Sequence, residues 1–233
     1  DIRFGTTYAD DLVDLATVGI IADMSEVGPN AMENRYICNL GLNHIVNPAI
    51  KAIVGKYEFT SKTISYSIAP LVNGANRLEN NDVALKLFMI DDTTQINDIV
   101  ASLNKYRDYQ RSKVSEVFET KIKPQAELQS GNKCLYFEID GDRNFTGLIA
   151  NKCVGEYKKP TFVLNKNETT GNYEGSMRAL DVKDFRAIIN ETNIGNAYGH
   201  ESAAGVIIPI DKYELFKEEM ENSLKDIEFK DTL

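Results

Sequence analysis

Apolar positions fall into two regimes along this chain, with helical spacing in the first half and short alternating runs in the second. The segment 11–22, DLVDLATVGIIA, ends on a continuous apolar stretch and predicts a buried element closed by Asp23. Tyr36, Ile37, Leu40 and Ile45 recur at helical spacing and predict a helix over 33–46. Asn47-Pro48 stops it and starts a short helix over 48–54, which Gly55 closes. The stretch 70–78, PLVNGANRL, mixes Pro, Gly and Asn and predicts a shaped loop, either a connection or a binding surface. Asn80, Asn81 and Asp82 offer caps for a helix over 83–90. The longest helix starts at Asp92 or Thr93. Its stripe of Ile96, Ile99, Val100, Leu103, Tyr106, Val114, Val117 and Phe118 runs to about Lys121, and Pro124 ends or kinks it.

The polar stretch 125–132, QAELQSGN, is the best candidate boundary. Beyond it strands alternate with helices. Strands are predicted over 133–139, 161–164, 173–179 and 205–210, with a Thr170-Gly171-Asn172 turn before the third. Helices are predicted over 145–157 and over 182–190, the latter capped by Asp181. Asp211 is placed to cap a final amphipathic helix carrying Tyr213, Phe216, Met220 and Leu224 on one face. The fold class is therefore α/β: helices over 1–91, a long connecting helix over 92–124, and a compact α/β domain over 125–233.

Composition adds exclusions. The 233 residues include 42% hydrophobic and 26% charged positions, which rules out disorder or coiled coil throughout. No run of 18 uncharged apolar residues exists, so no membrane span is predicted. The net charge of −9 is carried by the two ends: residues 1–35 hold seven acids and two bases, and residues 211–233 eight acids and four bases. The middle is balanced, and 105–123 holds six bases against three acids. A polyanion would need a local basic face, and the bland reading of those bases is a solvated helix surface. Three cysteines without C-x-x-C spacing argue against a disulfide framework and a cysteine zinc site, and favour a reducing, cytoplasmic setting. The first residue is Asp1 and no signal peptide follows, so the chain reads as a piece of a longer protein.

Four constellations offer chemistry. His44 reads as a partly buried structural residue. His200 lies in NAYGHESAAGV, where Gly199 and the small Ser202-Ala203-Ala204-Gly205 run either admit a ligand to the backbone or pack tightly. In Gly175-Ser176-Met177-Arg178, strand alternation sends Ser176 and Arg178 to one side, either as a phosphate clamp or as plain surface. The 70–78 stretch is the third. Asp10, Asp11, Asp14 and Asp23 are oxygen ligands of the kind Mg²⁺ or Mn²⁺ takes, although four acids do not make a site.

These segments also share an order. DLATVGIIADM, ENRYICNLGL, IAPLVNGANRL, LNKYRDYQRSKV, GLIANKCVGEYKKPTFVL, GSMRAL and YGHESAAGV follow one another over about 10–208. In this the chain resembles the RecJ-like single-strand-specific exonucleases of the DHH/DHHA1 phosphoesterase superfamily. The resemblance implies the C-terminal part of such a protein: a mostly helical remnant of the DHH lobe, the connecting helix, and a DHHA1 substrate-binding domain with a mixed sheet. Motifs I–III, including Asp-His-His, are absent. Asp23 matches the remaining metal position, with Asp11 and Asp14 weaker matches, so any Mn²⁺ or Mg²⁺ site is incomplete here. The remnant lobe is expected to expose apolar surface where a further segment belongs. Asn73 and Arg77 match the family's channel loop, in which Leu71 replaces an Arg. Ser176 and Arg178 match its Gly-Ser-x-Arg strand. Gly199, His200, Ala203, Ala204 and Gly205 match its Gly-Gly-His-x-x-Ala-Ala-Gly motif, with Tyr198 in place of the first Gly, where an aromatic suits stacking on a base. The resemblance implies single-stranded nucleic acid as partner. Two other readings are a phosphodiesterase for short oligonucleotides or cyclic dinucleotides, and a non-catalytic nucleic-acid-binding or scaffold relative.

Overall fold

The computed structural model describes residues 8–77, 81–180, 184–227 and 229, without the side chains of Asn76, Arg77 and Asn81. The chain forms two compact units, Asp1–Gln110 and Arg111–Leu233, that divide within one continuous helix.

All described secondary structure of the first unit is helical. A short 3₁₀ turn leads into α1 (Val13–Ala22), followed by α2 (Met32–Asn43) and α3 (Pro48–Val54). α1 is not the fully buried element its apolar run predicts. Its buried side chains are the polar Asp14 and Thr17, while Leu15, Val18 and Ile21 are only partly covered. The cause is a close crossing with α2 at Gly41, where an added Cβ would come within 2.1 Å of Thr17 Oγ1. Thr17 Oγ1 in turn lies 2.8 Å from the Val13 carbonyl and 3.0 Å from that of Ile37. The helix expected over 33–46 stops at Asn43, because the backbone N–H groups of Val46 and Asn47 turn to the Asp14 carboxylate, each at 2.8 Å. The short helix matches its expectation: Asn47 Oδ1 accepts from the N–H of Ala49 and Ile50, and Gly55 ends it at φ +59°.

The predicted loop at 70–78 is a helix. α4 (Ser61–Thr63) runs through a π-helical turn, Ile64–Ile68, into α5 (Ala69–Arg77). The same arrangement recurs in the connecting helix. α7 (Thr93–Val117), which follows α6 (Asn81–Met89), passes through a π turn at Phe118–Ile122 into α8 (Lys123–Glu127). In both cases a proline, Pro70 or Pro124, is the second residue after the π turn. Proline breaks a helix by lacking an N–H and by crowding the carbonyl four residues back. Here that carbonyl belongs to the wider i→i+5 turn, seen in the Ala69 N–H to Ile64 O and Lys123 N–H to Phe118 O bonds, so the helix continues. Asp92 caps α7 by accepting from Gln95 N–H at 2.8 Å. Asn80, one of the caps proposed for α6, lies outside the described residues.

The apolar stripe on α7 serves two cores. Ile96 and Leu103 join Leu71, Ala75, Ala84 and Leu87 in the first unit. Val114 joins Phe118 and Ile122 in the second. The second unit is built on a mixed five-stranded sheet in the order β1-β2-β3-β5-β4, where β1 is Leu135–Glu138, β2 Thr161–Asn167, β3 Asn172–Arg178, β4 Asn196–His200 and β5 Ala203–Pro209. β1 and β2 are parallel and joined through α9 (Thr146–Tyr157); the other pairs are antiparallel. Strand alternation explains the apolar runs. Leu135, Phe137 and Val163 face α9, while Tyr136, Phe162 and Leu164 join the core shared with Phe185 of α10 (Phe185–Glu191) and with Tyr213, Phe216 and Met220 of α11 (Tyr213–Ser223). Asp184 rather than Asp181 caps α10, accepting from Ala187 N–H at 2.9 Å; Asp181 is outside the described residues. Asp211 sits inside a 3₁₀ turn, Ile210–Lys212, ahead of α11 and does not cap it.

Both edges of the sheet are closed by side chains. On β1, Gln129 exchanges two hydrogen bonds with the Tyr136 backbone (2.7 and 2.8 Å), and Gln125 exchanges two with Glu138 (3.0 and 3.1 Å). The polar stretch 125–132 thus lies inside the second unit and lends its amides to the strand. On β4, Asn190 exchanges two with Ala197 (3.1 and 2.8 Å), and Arg186 donates to the Gly199 carbonyl at 2.8 Å. β4 itself escaped the hydropathy pattern because NAYGH is short, polar and largely exposed.

Candidate nucleic-acid interface

Strand register assembles the candidate residues of the second unit. Arg178 of β3 pairs with Ala203 of β5, which pairs with His200 of β4. Ser176 pairs with Gly205, which pairs with Tyr198. Residues opposite one another across a ladder share a face. Arg178, Ala203 and His200 therefore form one row, and Ser176, Gly205 and Tyr198 the next. Two strand spacings put the ends of each row roughly 10 Å apart. Ala204 faces the other way, into the core, and can serve the site only through its backbone.

The helix α9 covers part of this face and brings its N-terminal end against β3. Thr146 Oγ1 lies 2.9 Å from Ser176 Oγ and 2.8 Å from the Arg143 carbonyl. With the Thr146 proton on that carbonyl, Ser176 is the donor of the hydroxyl pair. A Cβ added to Gly147 would sit 2.8 Å from Arg178 Nη2 and 3.4 Å from Ser176 Oγ, so glycine is what lets the guanidinium approach the helix end. No side chain caps this 12-residue helix. A guanidinium and a helix N-terminus bring positive charge together, an arrangement suited to an anion. Glu174, on the same face, is engaged by Arg143, Asn167 and Thr170. Thr146, Gly147 and Arg143 were not singled out in the sequence, although GLIANKC held the first helical turn. Nothing in its spacing reveals which strand it meets.

The β4–β5 hairpin closes on Glu201-Ser202. Gly199 adopts φ +119°, with the Ala203 carbonyl 3.1 Å from where its Cβ would be, so its glycine is required. Tyr198 is not among the residues with positive φ and stands in ordinary backbone. A groove of about 840 Å³ runs along the β4 edge, lined by Asp184, Arg186, Asn190, Glu191 and Tyr198 among others. Its one cation is paired with Asp184 at 2.8 Å, and Arg186 holds that carboxyl below the ordinary range. Two acids against one paired base make this groove unsuited to phosphates, in contrast to the α9 side.

In the first unit, Asn73 is exposed on α5 and Arg77 follows one helical turn later, its side chain outside the described residues. Leu71 is fully buried in the core, so this position is apolar packing and not a place for a lost phosphate contact. Gly74 gives its carbonyl to Gln110 Nε2 at 2.9 Å, tying α5 to α7. Asp23 is exposed at the end of α1, 3.2 Å from Ser25 Oγ. Asp14 is committed to the N–H groups of Leu15, Val46 and Asn47. Among the described residues no three His, Cys, Asp or Glu side chains converge to hold a metal ion, so Asp23 has no companions there. His44 is exposed at the end of α2, not partly buried as expected. All three cysteines are free and buried, and burial pushes the Cys153 thiol up to about 12 and Cys134 well above its ordinary value, which removes thiolate chemistry from consideration. Among the described residues no helix is long and apolar enough to cross a membrane.

No family model matches the chain. It is 28% identical over 267 residues to YorK of Bacillus subtilis strain 168, an SPbeta prophage-derived protein described as a single-strand DNA-specific exonuclease; the match takes in all of this chain and 46% of YorK. It is 26% identical over 210 residues to the single-stranded-DNA-specific exonuclease RecJ of Bacillus subtilis, covering 85% of this chain and 26% of RecJ. Among solved structures, RecJ of Thermus thermophilus in complex with Mn²⁺ superposes with a TM-score of 0.79 at 22% identity, over 97% of this chain and 34% of that one. The DHH domain of PF0399, from the s1p family of ribosomal proteins, superposes at 0.56 with 13% identity, over 93% of this chain and 50% of that one. The chain spans less than half the length of the curated relatives it matches.

Proposed function

We propose, because the chain is RecJ-like and of the DHH superfamily, that it forms the nucleic-acid-binding part of a metal-dependent exonuclease acting on single-stranded DNA. The observation that carries this reading is the approach of Arg178 to the uncapped N-terminus of α9, in the row that also holds Ala203 and His200. In this reading Arg178 holds a backbone phosphate, with the N-terminal turn of α9 adding its positive end. Ser176 orients Thr146 beneath them, His200 donates a further hydrogen bond, and Gly199 and Gly205 let the strand approach the sheet. Asn73 and Arg77 provide backbone contacts from the first unit. Asp23 contributes one carboxylate to an Mn²⁺ or Mg²⁺ site whose other ligands belong to a further DHH segment. The metal would polarise the phosphodiester and activate water. Exposed apolar side chains on and beside α1 and α2, among them Leu12, Tyr36 and Leu40, support a further lobe packing there. The free buried cysteines fit a cytoplasmic setting. The relatives' descriptions favour this reading over a cyclic-dinucleotide phosphodiesterase or a scaffold.

The test is a titration of labelled single-stranded DNA at several salt concentrations. Arg178→Ala is expected to weaken binding about tenfold and to flatten the salt dependence, with no sequence preference in the loss. Wild-type affinity and an unchanged salt slope in a folded Arg178→Ala protein would show that this arginine is only a surface residue.

A further inference from the structure

We infer that Tyr198 is a stacking platform for one nucleobase of the bound strand, held flat by Gly205. This rests on the single-strand reading above and deepens it by naming the residue that takes a base, a contact that the phosphate row does not supply.

The geometry is specific. A Cβ added to Gly205 would lie 2.6 Å from Tyr198 Cε2, 2.6 Å from Cζ and 2.8 Å from Oη. Three ring-end atoms within van der Waals distance of one absent Cβ mean that the ring lies across the Gly205 backbone. One side of the ring is thus supported by the sheet. The residue remains 55% exposed, and its hydroxyl makes no hydrogen bond among the described residues. A tyrosine kept for packing buries its ring, and one kept for its hydroxyl finds a partner; this residue does neither.

Its placement suits a base. Tyr198 belongs to the row next to Arg178, Ala203 and His200, on the same face and about 7 Å further along the strands. A strand whose phosphate sits at Arg178 carries its bases away from that charge, over Gly205 and onto the ring. The groove on the other side of β4 carries two acids and one paired arginine, so the phosphates have no competing place there. Stacking on a π face tolerates any base, in keeping with a site that does not read sequence. Because the ring is supported from below, little side-chain freedom remains to be lost when a base settles on it.

The experiment compares two ligands of equal length and charge, an oligothymidylate and a strand made of abasic deoxyribose phosphates, by fluorescence anisotropy with the intact chain. Tyr198→Ala is expected to weaken oligothymidylate binding about tenfold, to leave abasic binding nearly unchanged, and to keep the salt slope. Tyr198→Phe is expected to bind both as wild type does. Gly205→Ala keeps the tyrosine but pushes its ring off the sheet, and is expected to lose base-dependent affinity as Tyr198→Ala does. Circular dichroism checks that each variant is folded, and the exposed Tyr198 variants decide the matter if Gly205→Ala is not. The inference is overturned if Tyr198→Ala affects both ligands equally or neither, while Arg178→Ala still lowers affinity and salt slope. If the wild-type chain binds neither strand, the inference falls together with the single-strand reading on which it rests.

Discussion

Removing the Asp14 carboxylate would leave the backbone N–H groups of Leu15, Val46 and Asn47 without their acceptor in a buried position. That acid is the hinge of the first unit: it ends α2 early and presents Asn47 for capping α3. Hydrogen bonds to a charged group are worth more than neutral ones, and orphaned buried donors are costly. Asp14→Ala is therefore expected to destabilise the protein by about 3 kcal/mol or more, with Asp14→Asn intermediate, as read from urea unfolding followed by circular dichroism. A metal ligand at this position would behave differently, with stability responding to added Mn²⁺; no such response is expected. The contrast with Asp23 is instructive. Both acids lie on one short apolar segment, yet one is sealed within backbone donors and the other stands in solvent.

At the scale of elements, β1 shows how a strand edge is closed without another strand. Two glutamines four residues apart occupy the pairing groups of two alternate β1 residues, Tyr136 and Glu138. Helical spacing of four residues rises about 6 Å, close to the advance of two strand residues, which is why the two amides fall in register. Edges left open are templates for association with other chains. The double variant Gln125→Ala, Gln129→Ala is expected to keep the fold, to speed amide exchange at Tyr136 and Glu138 by tenfold or more, and to self-associate with rising concentration. Hydrogen exchange and analytical ultracentrifugation check these outcomes; unchanged exchange at both amides would mean the glutamine bonds do not persist in solution. The two π turns act at the same scale. Each turns a proline that reads as a helix breaker into a position the helix tolerates, which is why 70–78 looked like a loop and is not.

For the whole molecule, the separation of binding residues from metal ligands has a functional consequence. The described residues bring together an anion-binding face in the second unit but no cluster able to hold a metal ion. The purified chain is expected to bind single-stranded DNA without degrading it appreciably in Mn²⁺ or Mg²⁺. Robust metal-dependent release of nucleotides from a labelled strand would contradict this division of roles. Binding and cleavage are measured on the same substrate, so either result is decisive.

Much of this was legible from residue order. Periodicity located α3, the long helix, β1, β2, β3, α9 and the buried face of α11, because local spacing and caps such as Asn47 and Asp92 act within a few residues. The grouping of Ser176 with Arg178 followed from strand alternation alone. Other features depend on residues far apart in the chain. Which helix end meets Arg178, which acid is buried, and that Gly205 lies beneath Tyr198 are consequences of sheet order and helix crossing, which sequence spacing does not encode. The same holds for Gly41, whose missing side chain matters only because Thr17 is on the other side of it. Short-range backbone preference sets the elements; contact between distant segments decides which of their side chains are left facing a ligand.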